Sequence, residues 1–263
     1  EGGIDGALAL FAQNATGYAN LMRLSSAAFL DEHDVPHVAF ARVLQDAEGL
    51  IALTGGGEGA FTPLLLEHKD DIVEAALNQL SDAFGDRLYI ELHRHQERAE
   101  ADTEGALVDL AYKLGLPLVA ANDIRFEKRS DHGAHDALMC IAASSYLGEE
   151  DRPRVSQQHY FKSAEEMVAL FSDLPEAIEN TVEIARRCAY RVEKRKPILP
   201  RFDSKAGRDE PAELKAQAEA GLKARLKALG GKLAAPEAEY WKRLEFELGV
   251  ITHMQFPGYF LIV

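Results

Sequence analysis

The sequence is poor in cysteine and has no long apolar runs. Only Cys140 and Cys188 occur among its 263 residues, which excludes a disulfide-rich secreted domain and favours a reducing compartment, although one disulfide between them stays open. No uninterrupted apolar stretch approaches the roughly 18 residues of a membrane span. No basic segment followed by an apolar one marks a signal peptide. We therefore expect a cytoplasmic protein without a membrane partner.

Basic charge is also scarce. Lys and Arg number 29 against 43 Asp and Glu, which gives a formal net charge of -14. Nucleic-acid binding needs a basic face that neutralises phosphates, so this balance argues against DNA or RNA contact by the chain itself. The share of hydrophobic residues, 47%, and of charged residues, 27%, is that of a globular protein and excludes a disordered or fibrous class.

Short apolar runs alternate with helical patterns through the first half of the chain. The runs at 49–53, 88–92 and 116–121 are typical of strands buried on both faces. Helical periodicity marks residues 64–84, 106–114 and 132–143, and also about 7–30 with an interruption at Thr16 and Gly17. This alternation predicts βαβ units and a parallel sheet, with any chemistry at the carboxyl ends of the strands.

The chain beyond about Gly148 is predicted to be mostly helical. Ser163 and Glu166 have the spacing of a capping box at the beginning of a helix. Further helices are predicted at 174–188, 211–229 and 236–254, while 191–207 is basic and irregular, contains Pro197 and Pro200, and is interpreted as a connector.

Two histidines that follow the second predicted strand are the first candidate site. Glu91, His93 and His95 are spaced by two, so their side chains would share one face and point towards one pocket. Imidazole and carboxylate are ordinary ligands for zinc, manganese or iron. The alternative is a pair of exposed loop histidines beside Arg94. Asp123, at the end of the third predicted strand, is a second candidate ligand or base.

Three further groups have a functional and a structural interpretation. The glycine run at 54–59 could hold phosphate, but it lacks the P-loop and dinucleotide patterns, which favours a tight turn. His132 and His135 are either ligands or helix-surface residues. A basic cluster at a helix end could contact phosphate or an acidic partner, or simply be solvated; it comprises Arg186, Arg187, Arg191, Lys194, Arg195 and Lys196.

Several stretches together resemble one family. Leu10–Leu21 resembles the family's LLAQNxTGYxNL, Gly49–Gly56 resembles GLIxLSGG, and Gly115–Phe126 resembles GLPLVATNDVxF. Glu176–Cys188 resembles EAxxNTxEIAxRC, and Met254–Val263 resembles MGFPGYFLIV. The family is the alpha (catalytic) subunit of bacterial DNA polymerase III, and the stretches follow its order nearly from end to end.

The resemblance implies an α/β fold, namely an incomplete distorted (β/α) barrel of PHP (polymerase and histidinol phosphatase) type followed by a helical segment. Residues 1–200 would be the PHP domain without its first strand, and 201–263 would lead into the palm. Because the chain begins with Glu1 and stops within an apolar run at Val263, we expect a fragment of a longer polymerase. The magnesium-dependent palm would follow Val263, so this part would hold no catalytic and no cofactor-binding residue.

The resemblance also implies partners and a residual metal site. The partners would be a proofreading exonuclease subunit, other replicase subunits, and DNA through the rest of the parent chain. Members with an active PHP site hold metals such as zinc or manganese. His95 and Asp123 match two of those positions, but Arg125 replaces a His, Gly56 replaces a Cys and Ala7 replaces another His.

These replacements predict a degenerate site. A cation at a ligand position repels a divalent metal, and Arg125 could pair with Asp123 instead. The alternative function is a metal-dependent phosphoesterase or 3'-5' exonuclease that works through the residual site at His95 and Asp123, where metal-bound water would be the nucleophile.

Overall fold

The computed structural model describes residues 4–31, 34–196, 198 and 200–263. The predicted connector residue Pro197 and the first residue, Glu1, lie outside the described residues. The chain divides into two compact units, Glu1–Val192 and Glu193–Val263. The predicted domain boundary after residue 200 stays a prediction.

The first unit combines helices with one small sheet. Its strands are β1 (Ala9–Ala12), β2 (Leu50–Leu53), β3 (Leu88–Leu92) and β4 (Leu118–Ala120). Its helices are α1 (Ala15–Leu30), α2 (Phe40–Gln45), α3 (Thr62–Leu66), α4 (Asp70–Phe84), α5 (Arg98–Leu114), α6 (His132–Ala143), α7 (Ala164–Leu170) and α8 (Pro175–Arg187). The second unit contains α9 (Glu210–Ala228), α10 (Glu237–His253) and α11 (Pro257–Ile262).

The four strands form one sheet in the order β1-β2-β3-β4. β2, β3 and β4 run parallel, as predicted. β1 pairs with β2 in the antiparallel direction, with Ala9 opposite Leu53 and Ala12 opposite Leu50. The sheet is therefore mixed rather than wholly parallel, and the α/β class is confirmed.

The sheet is buried on both faces. Leu50, Leu88 and Ile90 pack in one core cluster with the inner face of α4, whereas Ile51 and Tyr89 pack on the opposite face with Ile184 of α8. Because helices cover both faces of the sheet, neither face is exposed to solvent. This explains why the strands are continuous apolar runs in which apolar and polar residues do not alternate. The carboxyl ends of β2, β3 and β4 consequently meet at one edge, where the site lies.

The prediction of a helix from about residue 7 is wrong for its first part. Residues Ala9–Ala12 form a strand, and the helix begins at Ala15. Asn14 caps this helix, because its side chain accepts a hydrogen bond from the Gly17 amide at 3.0 Å. The predicted interruption at Thr16 and Gly17 is instead the first turn of α1. Pairing with β2 overrides the helical pattern of a segment too short to decide its own structure.

The helix predicted at 64–84 is also divided. α3 ends at Leu66 and α4 begins at Asp70, with His68 between them at a φ of 55°. Where local end signals are present, the predictions are confirmed. Gly115 ends α5 in the left-handed conformation, and Ser163 with Glu166 forms the predicted capping box before α7.

In the second unit, Asp209 caps α9 by accepting a hydrogen bond from the Ala212 amide at 2.9 Å. Both predicted long helices, at 211–229 and 236–254, are confirmed within one or two residues. Across the described parts of both units, none of the helices has the length and apolarity needed to cross a membrane.

Candidate functional site

The carboxyl ends of the three parallel strands surround a small cavity of 260 Å³. Gly55 follows β2, Glu91 and His93 lie at the end of β3, and Asn122 and Asp123 follow β4. The other lining residues are Ala7, Leu8, Ala9, Glu58 and Ala121. Sequence-predicted candidates from two different strand ends, His93 and Asp123, therefore do meet at one place.

Glu91 holds the glycine run after β2 in a tight turn. Its carboxylate accepts a hydrogen bond from the Gly55 amide at 2.8 Å, and its own amide donates to the Thr54 hydroxyl at 2.9 Å. Because a protein carboxylate already takes the Gly55 N–H, that group is not free for phosphate. The structural interpretation of the run, a turn between strand and helix, is the one the contacts favour.

The ring of His93 lies against Gly56. A Cβ atom on Gly56 would be 2.5 Å from Cε1 of His93, and the φ of Gly56 is 53°, which side chains rarely adopt. His93 Nε2 lies 3.1 Å from a carboxylate oxygen of Glu91. The volume that a cysteine would need at position 56 is thus filled by the neighbouring imidazole.

His95 is the most buried of the candidates, with 1% of its surface exposed. Its Nδ1 lies 2.7 Å from one carboxylate oxygen of Glu100, and its backbone amide donates to the other at 2.6 Å. Burial raises the pKa of Glu100, but these hydrogen bonds from His95 outweigh it and leave the pKa below its ordinary value. The interpretation of His95 as an exposed loop residue is therefore wrong.

Asn122 fixes the other side of the His95 ring. Its amide nitrogen donates to the Tyr160 carbonyl at 2.9 Å, so its oxygen points towards His95 Nε2, 3.1 Å away. The ammonium group of Lys162 donates to the same oxygen at 3.0 Å. Both ring nitrogens of His95 thus lie within hydrogen-bond distance of a side-chain oxygen, Nδ1 of Glu100 and Nε2 of Asn122.

Two buried residues of the site were missed by sequence reasoning. The His159 ring stacks on His95 with centroids 3.9 Å apart and donates from Nδ1 to the Asp123 carbonyl at 2.9 Å. Burial lowers the pKa of His159 and also that of Lys162. Both residues lie in the loop before α7, more than 30 residues from the strand ends, and no local pattern connects that loop with the site.

Arg125 pairs with two carboxylates that line the cavity, those of Asp123 and Glu58. Its Nε donates to Asp123 at 2.7 Å and one terminal nitrogen donates to Glu58 at 2.9 Å. The hydrogen bond that Arg125 donates to Asp123 is the main reason why the pKa of Arg125 rises above its ordinary value. The pairing of Arg125 with Asp123 that the sequence suggests is thus present.

The possible metal ligands of this site already contact other polar groups of the protein. His93, His95 and Glu100 each offer a ligand atom within 4.8 Å of the others, but each of those residues is engaged in hydrogen bonds within the protein. His95 Nδ1 lies against Glu100 and its Nε2 against the Asn122 side-chain oxygen. Lys162 donates to the Asn122 oxygen and Arg125 donates to the Asp123 carboxylate, so both of these groups also have a partner within the protein.

The remaining candidates lie elsewhere. His132 Nε2 contacts the Val155 carbonyl at 3.0 Å, and His135 packs against Phe126, so both are half-buried packing residues. In the basic cluster, Arg187 is held by Asp86. Both cysteines are free, and burial raises the pKa of Cys188. The open possibility of a disulfide is therefore excluded.

Comparison with known proteins relates both units to one kind of protein. Residues 4–95 match the family model described as PHP domain, and residues 212–263 match the model described as Bacterial DNA polymerase III alpha NTPase domain. The DNA polymerase III subunit alpha of Caulobacter vibrioides is 52% identical over 258 residues. That of Pseudomonas aeruginosa is 41% identical over 263 residues, and that of Rickettsia bellii 40% over 272.

These alignments cover nearly all of this chain but a small part of each relative. The Caulobacter and Pseudomonas matches include 97% of this chain and 22% of the relative, and the Rickettsia bellii match includes 100% and 23%. The chain therefore spans less than a quarter of the length of these relatives.

Proposed function

We propose that the chain is part of a DNA polymerase III alpha subunit and works within a replicative DNA-directed DNA polymerase. The observation that carries this is the 52% identity over 97% of the chain, together with the family's motifs in their order. Template-directed addition of nucleotides would be performed by the parent subunit, with magnesium at its palm. DNA contact would be made outside this acidic chain, whose formal charge is -14.

Within that subunit, we propose that the first unit is a degenerate PHP domain, an incomplete distorted (β/α) barrel. Residues 1–200 would form it, and 201–263 would connect it to the palm. The proposal that His95 and Asp123 are residual positions without a metal is supported by the pairing of Asp123 with Arg125 and by the occupied nitrogens of His95. This unit would position the palm and dock a separate proofreading exonuclease among other replicase subunits in the cytoplasm.

Metal analysis and primer extension of the full-length protein test this function. We expect primer extension, no stoichiometric zinc or manganese after dialysis, and no change in metal content in His95→Ala. His253→Ala, an exposed histidine of α10, is the matched control. Absence of primer extension would contradict the polymerase assignment.

The second candidate function, a phosphoesterase, rests on the cluster of His93, His95 and Glu100. It predicts a stoichiometric metal that His95→Ala removes and His253→Ala keeps, together with hydrolysis of a phosphodiester. That result would replace the degenerate site with an active one and leave the polymerase assignment unchanged.

A further inference from the structure

The two units differ in the sign of their net charge. Glu193–Val263 contains 13 Lys and Arg against 10 Asp and Glu, which gives this unit a formal charge of +3. The remaining 16 Lys and Arg and 33 Asp and Glu lie in Glu1–Val192 and give it a formal charge of -17. Because contact with DNA needs a basic face, the total of -14 argues against such contact for the first unit but not for the second.

The positive charge of the second unit is concentrated around the end of α9. Residues 221–236 contain no Asp or Glu, and the nearest carboxylates along the chain are those of Glu219 and Glu237. The same residues include four exposed cations, which are Lys223, Arg225, Lys227 and Lys232. We call residues 221–236 the basic stretch.

The carboxylates of this unit do not neutralise the basic stretch. Glu213 accepts hydrogen bonds from Ser204 at 2.7 Å and from Arg208 at 3.1 Å. Glu219 pairs with Lys215 at 3.8 Å, one turn before the stretch begins. Within the described part of the chain, the side chains of the four cations have no ion-pair partner. Their charge is therefore available to a negatively charged ligand.

Helix stability explains only part of this arrangement. Arg225 and Lys227 lie in the last turn of α9, where cations interact favourably with the helix dipole. Lys223 lies one turn earlier on the same face as Lys227, and two like charges at this spacing repel each other. Lys232 lies beyond the end of α9 at Ala228. An anion bound beside Lys223 and Lys227 would replace their repulsion with two favourable contacts.

The basic stretch suits phosphates better than the surface of an acidic protein. Protein interfaces depend on apolar or aromatic anchors at their centre. In the basic stretch one large apolar side chain, that of Leu229 at 48%, is exposed. Lysine ammonium groups bind phosphate as point charges and need no apolar contact.

We propose that Lys223, Lys227 and Lys232 bind backbone phosphates of the DNA on which the parent polymerase acts. This inference rests on the proposed function, which supplies the DNA, and it adds one contact to those assigned to the rest of the parent subunit. Phosphate contacts position a protein on DNA without reading its sequence. The contact is therefore independent of base sequence and strongly dependent on salt.

The salt dependence of DNA binding by the full-length protein tests this contact. The affinity for a primer annealed to a template is measured by fluorescence anisotropy between 50 and 200 mM salt. Each phosphate contact contributes about 0.9 to the slope of log affinity against log salt. Lys223→Gln combined with Lys227→Gln should therefore lower the slope by about 1.8, so that the affinity advantage of the unchanged protein shrinks about 12-fold over this range. Adding Lys232→Gln should lower the slope by about 0.9 more.

The matched control removes two cations that already have partners in the same unit. Lys215 pairs with Glu219 at 3.8 Å and Arg243 pairs with Glu247 at 2.6 Å. Lys215→Gln combined with Arg243→Gln should leave the slope unchanged. Lys223→Arg combined with Lys227→Arg keeps both charges and should also keep the slope. All of these side chains are exposed, and thermal unfolding verifies that each variant folds.

The outcomes separate this contact from the proposed function. If the unchanged protein binds DNA and extends the primer, but Lys223→Gln with Lys227→Gln keeps its slope, the contact is wrong and the proposed function stands. If the control lowers the slope as much, the effect belongs to the charge of the whole unit, and the assignment to the basic stretch is wrong. If the unchanged protein neither binds the DNA nor extends the primer, the proposed function is wrong, and this inference with it.

Discussion

Arg94, which lies between the two histidines of the site, is expected to be a main source of stability for the first unit. Its guanidinium donates to Glu104 at 2.6 and 2.9 Å, to Asp173 at 2.6 and 2.7 Å, and to the Leu170 carbonyl at 2.7 Å. All five of its N–H groups are thereby used. Its central carbon also lies 4.5 Å from the centre of the Phe171 ring, which is fully buried. One side chain thus ties the end of β3 to α5 and to the segment between α7 and α8.

The cost of Arg94→Ala can be estimated from these contacts. The pair with Glu104, which is 26% exposed, contributes about 1.5 kcal/mol as a charge-assisted hydrogen bond. The pair with Asp173, which is 61% exposed, contributes about 0.5 kcal/mol because water screens it. Stacking on Phe171 adds about 1 kcal/mol, and the Leu170 carbonyl loses a partner at about 0.5 kcal/mol. We expect a loss of about 3.5 kcal/mol in the free energy of unfolding.

Urea unfolding followed by circular dichroism measures this loss without screening the ion pairs. Arg98→Ala is the matched control, since the Arg98 side chain is 93% exposed and pairs with Asp102 one helical turn away at 3.3 Å; it should cost less than about 0.5 kcal/mol. Arg94→Lys keeps the charge but not the planar fork and should lose about half as much as alanine, roughly 1.5–2 kcal/mol.

The pH dependence gives a second readout for the same residue. The hydrogen bond from Arg94 holds the pKa of Asp173 below its ordinary value, so the pair contributes stability above the unfolded pKa of about 3.9 and loses it as the pH falls through the folded pKa. The difference in the free energy of unfolding between the unchanged protein and Arg94→Ala should therefore become smaller at acidic pH. If Arg94→Ala costs no more than Arg98→Ala at neutral pH, the reasoning about the guanidinium is refuted.

Two more predictions concern the site itself. Gly56→Ala should destabilise the protein by about 2–4 kcal/mol in urea unfolding, because the new Cβ meets the His93 ring at a strained backbone position. Gly105→Ala is the control, since a Cβ has open space there in α5, and it should stabilise the protein by about 0.5–1 kcal/mol. If both variants changed the free energy of unfolding in the same direction, the packing argument would be contradicted. Burial lowers the pKa of His159 in the folded protein, so the unfolded chain takes up a proton at a higher pH than the folded protein does. The free energy of unfolding should therefore fall as the pH drops from about 6.5, the pKa in the unfolded chain, towards the lower pKa in the folded protein. His159→Phe keeps the stacking on His95 and should remove that part of the pH dependence between pH 7.5 and 5.5; an unchanged slope would show that another group titrates.

Several elements of this protein are decided locally and can be predicted from the sequence. β3 is confirmed at residues 88–92, because an apolar run of that length between two helical patterns suits a buried strand. α6 is confirmed at residues 132–143, and the ends of α5 and α7 follow from Gly115 and Ser163. Each of these signals involves residues within a few positions of one another, so no distant contact is needed to interpret it.

The site shows how far such local reasoning reaches. His95, Asp123 and the strand ends that carry them are evident from the pattern, because chemistry in parallel sheets collects at those ends. The side chains that form hydrogen bonds with them or stack on them are not evident from the sequence. Glu100 belongs to the next helix, while His159 and Lys162 come from a loop that only the folded chain brings to His95 and Asn122.

The same limit explains the wrong prediction for residues 9–12. Their apolar pattern suits a helix, but pairing with β2 gives every residue from Ala9 to Ala12 a partner across the sheet. A segment of four residues has too little propensity of its own to resist that pairing. Local patterns therefore predict the parallel strands and the helices with end signals. The hydrogen bonds between distant side chains follow from the folded structure, because those contacts depend on how the whole chain packs.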